Sequence, residues 1–370
     1  MDKYISYGIN DDHECSSFEE AVERIRKGQW VMIRQGTSAR NLESLIDLFD
    51  NPYNHRCILV TDDKHPYDLM ENGHIDSIIR QAVMLGKSPI TGIKMATIQA
   101  AQCFGLREEG AIAPGYLANI LVLNDLNTVD ICDVYHKGKL VCKNKEIMPI
   151  NIPDISPNVV NPVLNSFNIT ELVKDDFYIE PEGESCRVIK AIPGELLTEE
   201  LICSLDFSNA NGIDTDKDII KIAVCERHQM TGHRGIGFIS GLGIKKGAIA
   251  SSVSHDSHNL IIAGADEADM ALAGNTVRQM QGGMAVVLNG KVLAKLELPV
   301  AGLMSDRNAS LVATDNMMVR QAVNDLGVTE GIEPFMNLGF ISLPVIPKLK
   351  MTTKGPVDVV AFEQVSLFVK

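Results

Sequence analysis

The sequence predicts an α/β region followed by a separate α+β domain, on three observations. Residues 1–106 alternate short, unbroken apolar runs with stretches of helical spacing. Residues 107–145 change to short strands and turns, the pattern of part of a small β-sandwich. Residues 171–370 then carry a hairpin signal and two long helical stretches of their own. Strand–helix alternation with apolar strands implies a parallel sheet covered on both faces.

The elements follow in order. Ser16 and Glu19 fit an N-cap and capping box, Phe18, Ala21, Val22 and Ile25 share one helical face, and Gly28 ends that helix. Trp30–Arg34 (WVMIR) reads as a buried strand, and Leu42, Leu45, Ile46 and Phe49 as a helical stripe. Cys57–Val60 (CILV) is a second strand, running into Thr61-Asp62-Asp63. Ile75, Ile78, Ile79, Ala82 and Val83 predict a helix stopped near Gly86, and Ile93 to Phe104 predict another. Pro114-Gly115 and Lys137-Gly138 mark turns around a strand at Ile120–Leu123. Residues 146–170, rich in Pro and Asn, read as a linker. Beyond it, Met284–Leu288, Asn289-Gly290 and Lys291–Leu298 make a strong hairpin signal. Asp266 to Gln281 and Asp306 to Leu326 read as helices.

Bulk properties narrow the function. The 370 residues are 45% hydrophobic and 22% charged, enough to bury a sizeable core. A net charge of −14 argues against a nucleic-acid surface, which wants clustered Lys and Arg. No apolar run approaches the roughly 20 residues that span a bilayer. The opening residues lack the apolar core of a signal peptide, which points to the cytoplasm. Eight scattered Cys residues with no CxxC pair read as reduced thiols.

Polar clusters sit at Asp11-Asp12-His13-Glu14, Arg34-Gln35-Gly36 and Thr61-Asp62-Asp63. Two of them follow predicted strands, and in βα barrels chemistry gathers at the C-terminal ends of strands. His13 with Asp62 has the spacing of a metal-holding mouth, since imidazole and carboxylate suit a divalent first-row ion; taken singly, each also fits a solvated turn or helix cap. Asp62, Asp63, Lys64 and His65 form a dense charged loop, functional or merely solvated. Ser254-His255-Asp256-Ser257-His258-Asn259 could bind a metal or a polar ligand, or could simply turn one strand into the next. Gly232 to Gly247 superficially suggests a phosphate cradle, but loop and bulge glycines fit better.

Several stretches together resemble the adenine deaminases of the amidohydrolase superfamily. They are DDHECSSFEEA (11–21), GQWVMIRQGTSARNL (28–42), VTDDKHPYDLMENGHID (60–76), KMATIQAAQCFGL (94–106), GAIAPGYLANILVL (110–123), ERHQMTGHRGIGFISGLGIKKGAIASSVSHDSHN (226–259), LPVAGLMSD (298–306) and LPVIPKLKMTTKGPVDV (343–359). The resemblance implies the C-terminal part of a (β/α)8 barrel in 1–106, a β-sandwich segment in 107–145 and a C-terminal α+β domain in 171–370. It implies a two-metal centre of Mn2+ or Fe2+, with His13 and Asp62 as ligands and Asp62 also as the proton-shuttling catalytic group. Arg34, Asp63, His65, His255, Asp256 and His258 are the further candidates for contacting or supporting the substrate. The implied reaction is hydrolysis of adenine to hypoxanthine and ammonia in purine salvage, by a homo-oligomer.

The sequence departs from that pattern in one large respect. The family's first-strand His-x-His pair occurs nowhere in these 370 residues, and 106 residues make only about three of eight βα units. The expectation is a chain whose remaining metal ligands lie elsewhere, in a longer gene product or a separate N-terminal chain. The alternative is a non-catalytic binding or assembly module. A smaller departure is Asn119, where the family usually has Asp.

Overall fold

The computed structural model describes residues 1–369 apart from 38, 152, 154, 193, 194, 330 and 331. The chain divides into two compact units, Met1–Asp154 and Ile155–Lys370. Among the described residues no helix is long and apolar enough to cross a membrane.

The first unit begins with a short helix α1 (Asp2–Ser6), then β1 (Asp11–Asp12), α2 (Phe18–Arg26), β2 (Trp30–Arg34) and β3 (Cys57–Val60). The three strands form a parallel sheet in the order β1-β2-β3. Side chains alternate across a strand, so the sheet has two cores. Val31, Ile33, Cys57 and Leu59 pack on one face with Ala21 and Val22 of α2. Ile78, Ile79 and Ala82 of α4 (Ile75–Met84) and Met95 of α5 (Pro89–Ala96) join them. Trp30, Met32 and Ile58 face the other way, toward Ala100 and Cys103 of α6 (Ile98–Cys103). Between β3 and α4 lies α3 (Pro66–Asn72). An antiparallel sheet follows: β4 (Ile120–Asp125), β5 (Asp130–His136), β6 (Lys139–Lys143) and β7 (Glu146–Ile147). Lys137 and Gly138, both at positive φ, turn β5 into β6 as expected.

Four expectations need correction. The cap of α2 is Ser17, whose hydroxyl accepts from Glu20 N–H, one residue later than Ser16 and Glu19. Leu42 to Phe49 is turns plus a single 3-10 turn (Ile46–Phe49), although Leu42, Leu45, Leu48 and Phe49 are all buried. The 93–104 helix breaks at Thr97, whose hydroxyl donates to Ile93 O at 2.6 Å. Residues 146–170 hold β7 and a helix α7 (Pro157–Leu164), and Phe167 and Ile169 are buried in the second unit's core.

The second unit is a nine-stranded mixed sheet with helices on both faces. Its strands are β8 (Ser185–Ala191), β9 (Thr198–Ser204), β10 (Ile219–Cys225), β11 (Arg234–Ser240), β12 (Ala248–Ser251), β13 (Leu260–Gly264), β14 (Gly283–Leu288), β15 (Lys291–Glu297) and β19 (Phe368–Val369). The order is β15-β14-β12-β13-β10-β11-β8-β19, with β9 also paired to β8. A four-residue helix α8 (Phe207–Ala210) precedes β10. The α9 helix (Glu267–Gln279) covers one face, burying Met270, Ala273 and Val277 against Ala223, Ala250 and Ile262. On the other face α10 (Ala309–Asn324) and α11 (Pro334–Ile341) pack on Ile220, Ile222, Ile249 and Val286. A small sheet of β16 (Leu349–Thr352), β17 (Gly355–Asp358) and β18 (Glu363–Gln364) completes the unit.

The β14–β15 hairpin is the one expected, with Asn289 at φ 52° and Gly290 at φ 72°, as a two-residue primed turn requires. The buried Asp269 carboxylate accepts from both of these turn amides, at 2.8 and 2.7 Å, which ties α9 to the hairpin. Asp266 caps α9 by accepting from Asp269 N–H at 2.9 Å. Asp266→Ala is expected to cost about 1 kcal/mol, read as a lower urea midpoint with an unchanged slope. The Gly-rich stretch is no phosphate cradle. A Cβ on Gly235 would lie 1.9 Å from Thr352 O, and one on Gly241 would lie 2.2 Å from Ala191 O, so these glycines admit neighbouring backbone.

Candidate functional site at the strand ends

Because β1, β2 and β3 run parallel and in register, their C-terminal ends open on one edge. Asp12 pairs with Val31, and Arg34 pairs with Val60. The residues that leave this edge are His13 and Glu14 after β1, Arg34 at the end of β2, and Thr61, Asp62 and Asp63 after β3.

Arg34 organises them. Its Nη1 donates to Glu14 Oε1 at 3.0 Å and to Asp62 Oδ2 at 2.8 Å, while Nη2 donates to Glu14 Oε2 at 2.8 Å. The Glu14 contact is a two-pronged guanidinium–carboxylate fork, which fixes geometry as well as charge. His13 Nε2 lies 3.1 Å from Glu14 Oε1. His13 and Asp62 therefore belong to one chain of contacts, His13–Glu14–Arg34–Asp62. The Arg34 side chain is only 12% exposed. Its backbone is held too: Arg34 N–H donates to Asn41 Oδ1 at 2.8 Å, and Asn41 N–H donates back to Arg34 O at 3.1 Å. Asn41 Nδ2 donates to Cys15 O, which links the first strand's exit to the second's. Asp62 sits at φ 57°, in the left-handed region that Asp tolerates better than most residues.

The other loop candidates face elsewhere. The Asp63 carboxylate accepts from Ala39 N–H at 3.1 and 3.2 Å, and Gly36 approaches it so closely that a Cβ there would lie 1.7 Å from Asp63 Oδ1. His65 is buried, and its N–H donates to Thr37 Oγ1, which in turn donates to Asp68. Asp63 thus holds Ala39, and His65 holds Thr37, near the α3 entry. Sequence reasoning missed Glu14 and Asn41. Glu14 stood in the quoted DDHE cluster beside His13, but a loop Asn such as Asn41 carries no local signal. A groove of about 440 Å3 lined by Asp76, Arg80, Thr128, Val129, Asp130, Ile131 and Lys145 shares no residue with the strand-end cluster.

His255, Asp256 and His258 lie in the second unit, in the turn that joins antiparallel β12 and β13. The His255 ring stacks on Phe340, with centroids 4.6 Å apart and planes 9° from parallel. His255 N–H donates to Gly339 O, and Ser342 Oγ donates to His255 O. Asp256 is exposed, and its Oδ1 lies 3.5 Å from His255 Nδ1. Burial pushes the His258 imidazole below its ordinary range, helped by the neighbouring His255 and Arg227. The fully buried Arg227 donates from Nε to His258 O at 2.6 Å. The turn is thus packed from both sides.

Residues 6–141 match the amidohydrolase family, and residues 195–363 match the adenine deaminase C-terminal domain. The first unit is thus an amidohydrolase segment, its polar residues grouped where a parallel sheet ends. Along its whole length the chain is 41% identical to an adenine deaminase of Desulfatibacillum aliphaticivorans, and over 98% of its length it is 43% identical to adenine deaminase 2 of Carboxydothermus hydrogenoformans. The chain is thus similar to adenine deaminases through both of its units. It spans 64% and 63% of the length of those two relatives. Among solved structures, a β-aspartyl dipeptidase of Fervidobacterium islandicum AW-1 aligns with TM-score 0.31 and 18% identity, over 37% of this chain and 39% of its own.

The amidohydrolase match makes a metal the expected cofactor. A catalytic zinc-type site takes three protein ligands plus water. Among the described residues no three His, Cys, Asp or Glu side chains converge to hold a metal. Both Glu14 oxygens and Asp62 Oδ2 accept from Arg34, and His13 Nε2 faces Glu14. The described residues alone do not fit a two-metal centre.

Proposed function

We propose that this chain contributes to the hydrolysis of adenine to hypoxanthine and ammonia, as part of an adenine deaminase working in cytoplasmic purine salvage. The observation that carries the reading is the 41% identity to an adenine deaminase over all 369 aligned residues, through both units. On this reading β1–β3 are the last strands of a (β/α)8 barrel. A Mn2+ or Fe2+ pair would depend on donors outside these 370 residues, supplied within a homo-oligomer or by a separate N-terminal chain. His13 and Asp62 are this chain's contribution to that centre.

Asp62 is the proposed proton carrier. Water adds to C6 of the purine, the exocyclic C–N bond breaks, and the proton lost by the water ends on the departing ammonia. A carboxylate at a strand end can take that proton and return it. Arg34 fixes the aim of Asp62 through Oδ2, leaving the other oxygen to face the substrate. Arg34 and Glu14 support the site by orienting Asp62 and His13, and Asp63 and His65 by holding the adjoining loop.

The test is ammonia release from adenine with added Mn2+, for the 370-residue chain alone and with a polypeptide that supplies the family's first-strand His-x-His pair. The chain alone is expected to show little or no turnover, the mixture to turn over, and Asp62→Asn in the mixture to lose about 100-fold or more. Full turnover by the chain alone would overturn the ligand accounting. A silent mixture of folded partners would overturn the deaminase reading.

A further inference from the structure

We infer that the Arg34 guanidinium is the resident counter-cation of the Glu14 and Asp62 carboxylates, and that in this chain by itself, without the outside donors a metal pair would need, it keeps divalent metal ions out of the strand-end cluster. The inference stands on the strand-end geometry and does not depend on which reaction the complete protein performs.

Two carboxylates that leave β1 and β3, the strands flanking β2, would together attract a divalent cation. Here Arg34 already lies between them, at 2.8 to 3.0 Å from three of their four oxygens. A metal ion needs the same lone pairs. It would have to break a two-pronged fork and a third charge-assisted bond, and then sit beside a displaced positive charge. Displacement is further opposed by the setting of Arg34. The side chain is 12% exposed, and the Asn41 side chain and backbone clamp its main chain on both sides. In the neighbouring imidazole Nε2 is directed at Glu14 Oε1, so only Nδ1 is left to offer a lone pair.

The experiment is Mn2+ titration of the full chain, followed by the loss of the free-ion electron paramagnetic resonance signal. Wild type, Arg34→Gln, Arg34→Lys and the double variant Arg34→Gln with Asp62→Asn are compared. Arg34→Gln is expected to bind Mn2+ about tenfold or more tightly than wild type. Arg34→Lys, which keeps the charge, should stay close to wild type, and Asp62→Asn should abolish the gain. Equal affinity in wild type and Arg34→Gln overturns the inference, as does a gain that survives Asp62→Asn or appears equally in Arg34→Lys. A second readout does not depend on any variant folding, namely paramagnetic broadening of the His13 ring signals in wild type. Broadening at stoichiometric Mn2+ overturns the inference, and sharp signals support it.

Discussion

Arg227→Ala is expected to destabilise the second unit by about 3–5 kcal/mol, near the upper end for a single substitution. The side chain is 1% exposed and joins three separate segments. Its Nε donates to His258 O at 2.6 Å, its Nη2 donates to Ala301 O at 3.0 Å, and the guanidinium lies 4.9 Å above the Phe167 ring. Burial pulls its pKa down to about 10, partly offset by Glu226, so it remains charged at neutral pH. Truncation strips the donors from two carbonyls, at about 1–3 kcal/mol each, and leaves a void under Phe167. Arg227→Lys should recover little of the loss, because an ammonium cannot reach both carbonyls and stack on the ring together. The measurements are urea unfolding and hydrogen exchange of the β13 amides, next to the turn that Arg227 holds. A loss below about 1 kcal/mol would show that the carbonyls find other donors.

What could be read from the sequence was whatever repeats locally. The strands Trp30–Arg34 and Cys57–Val60 announced themselves as apolar runs, and Asn289-Gly290 as a pair suited to two successive left-handed residues. Parallel strands then bring His13 and Asp62 to one edge without further information. The Glu14–Arg34–Asp62 bridge could not be read in the same way. It spans separations of 20 and 28 residues, and no periodicity reports a charge paired across loops. The stripe at Leu42, Leu45, Ile46 and Phe49 misled because burial every three or four residues suits a succession of turns as well as an α-helix. Asn41, placed where it could have capped that helix, spends its side chain on Arg34 N–H and Cys15 O. Thr97 broke a well-spaced helix by turning its hydroxyl to Ile93 O, a local competitor with backbone bonding. The linker expected at 146–170 failed for another reason. Proline and asparagine signalled irregular chain, but irregular chain can still insert side chains such as Phe167 and Ile169 into a core.

Lys350→Met is expected to change how stability responds to alkaline pH. Lys350 lies in β16 with no exposed surface, and its Nζ donates to Leu196 O at 3.0 Å. Burial lowers its pKa from 10.5 to about 8. Between those values the unfolded chain holds the proton and the folded chain does not, so this residue makes stability rise with pH across that window. Below about pH 8 both states are protonated, and the folded state carries the whole burial penalty, about 3 kcal/mol. The buried thiols oppose this trend. Burial holds Cys15, Cys57 and Cys225 at about 12, so the unfolded chain loses those protons first and stability falls as pH rises above the ordinary thiol range. The informative quantity is therefore the difference between wild type and variant, in which the thiols cancel. Methionine keeps the length without the charge, so at pH 7 the variant should be more stable by about 1–2 kcal/mol once the lost bond to Leu196 O is counted. That advantage should shrink steadily from pH 8 to pH 10. An advantage that stays constant across this range would mean that Lys350 keeps an ordinary pKa in the fold, and that the interior around β16 is wetter than its packing indicates.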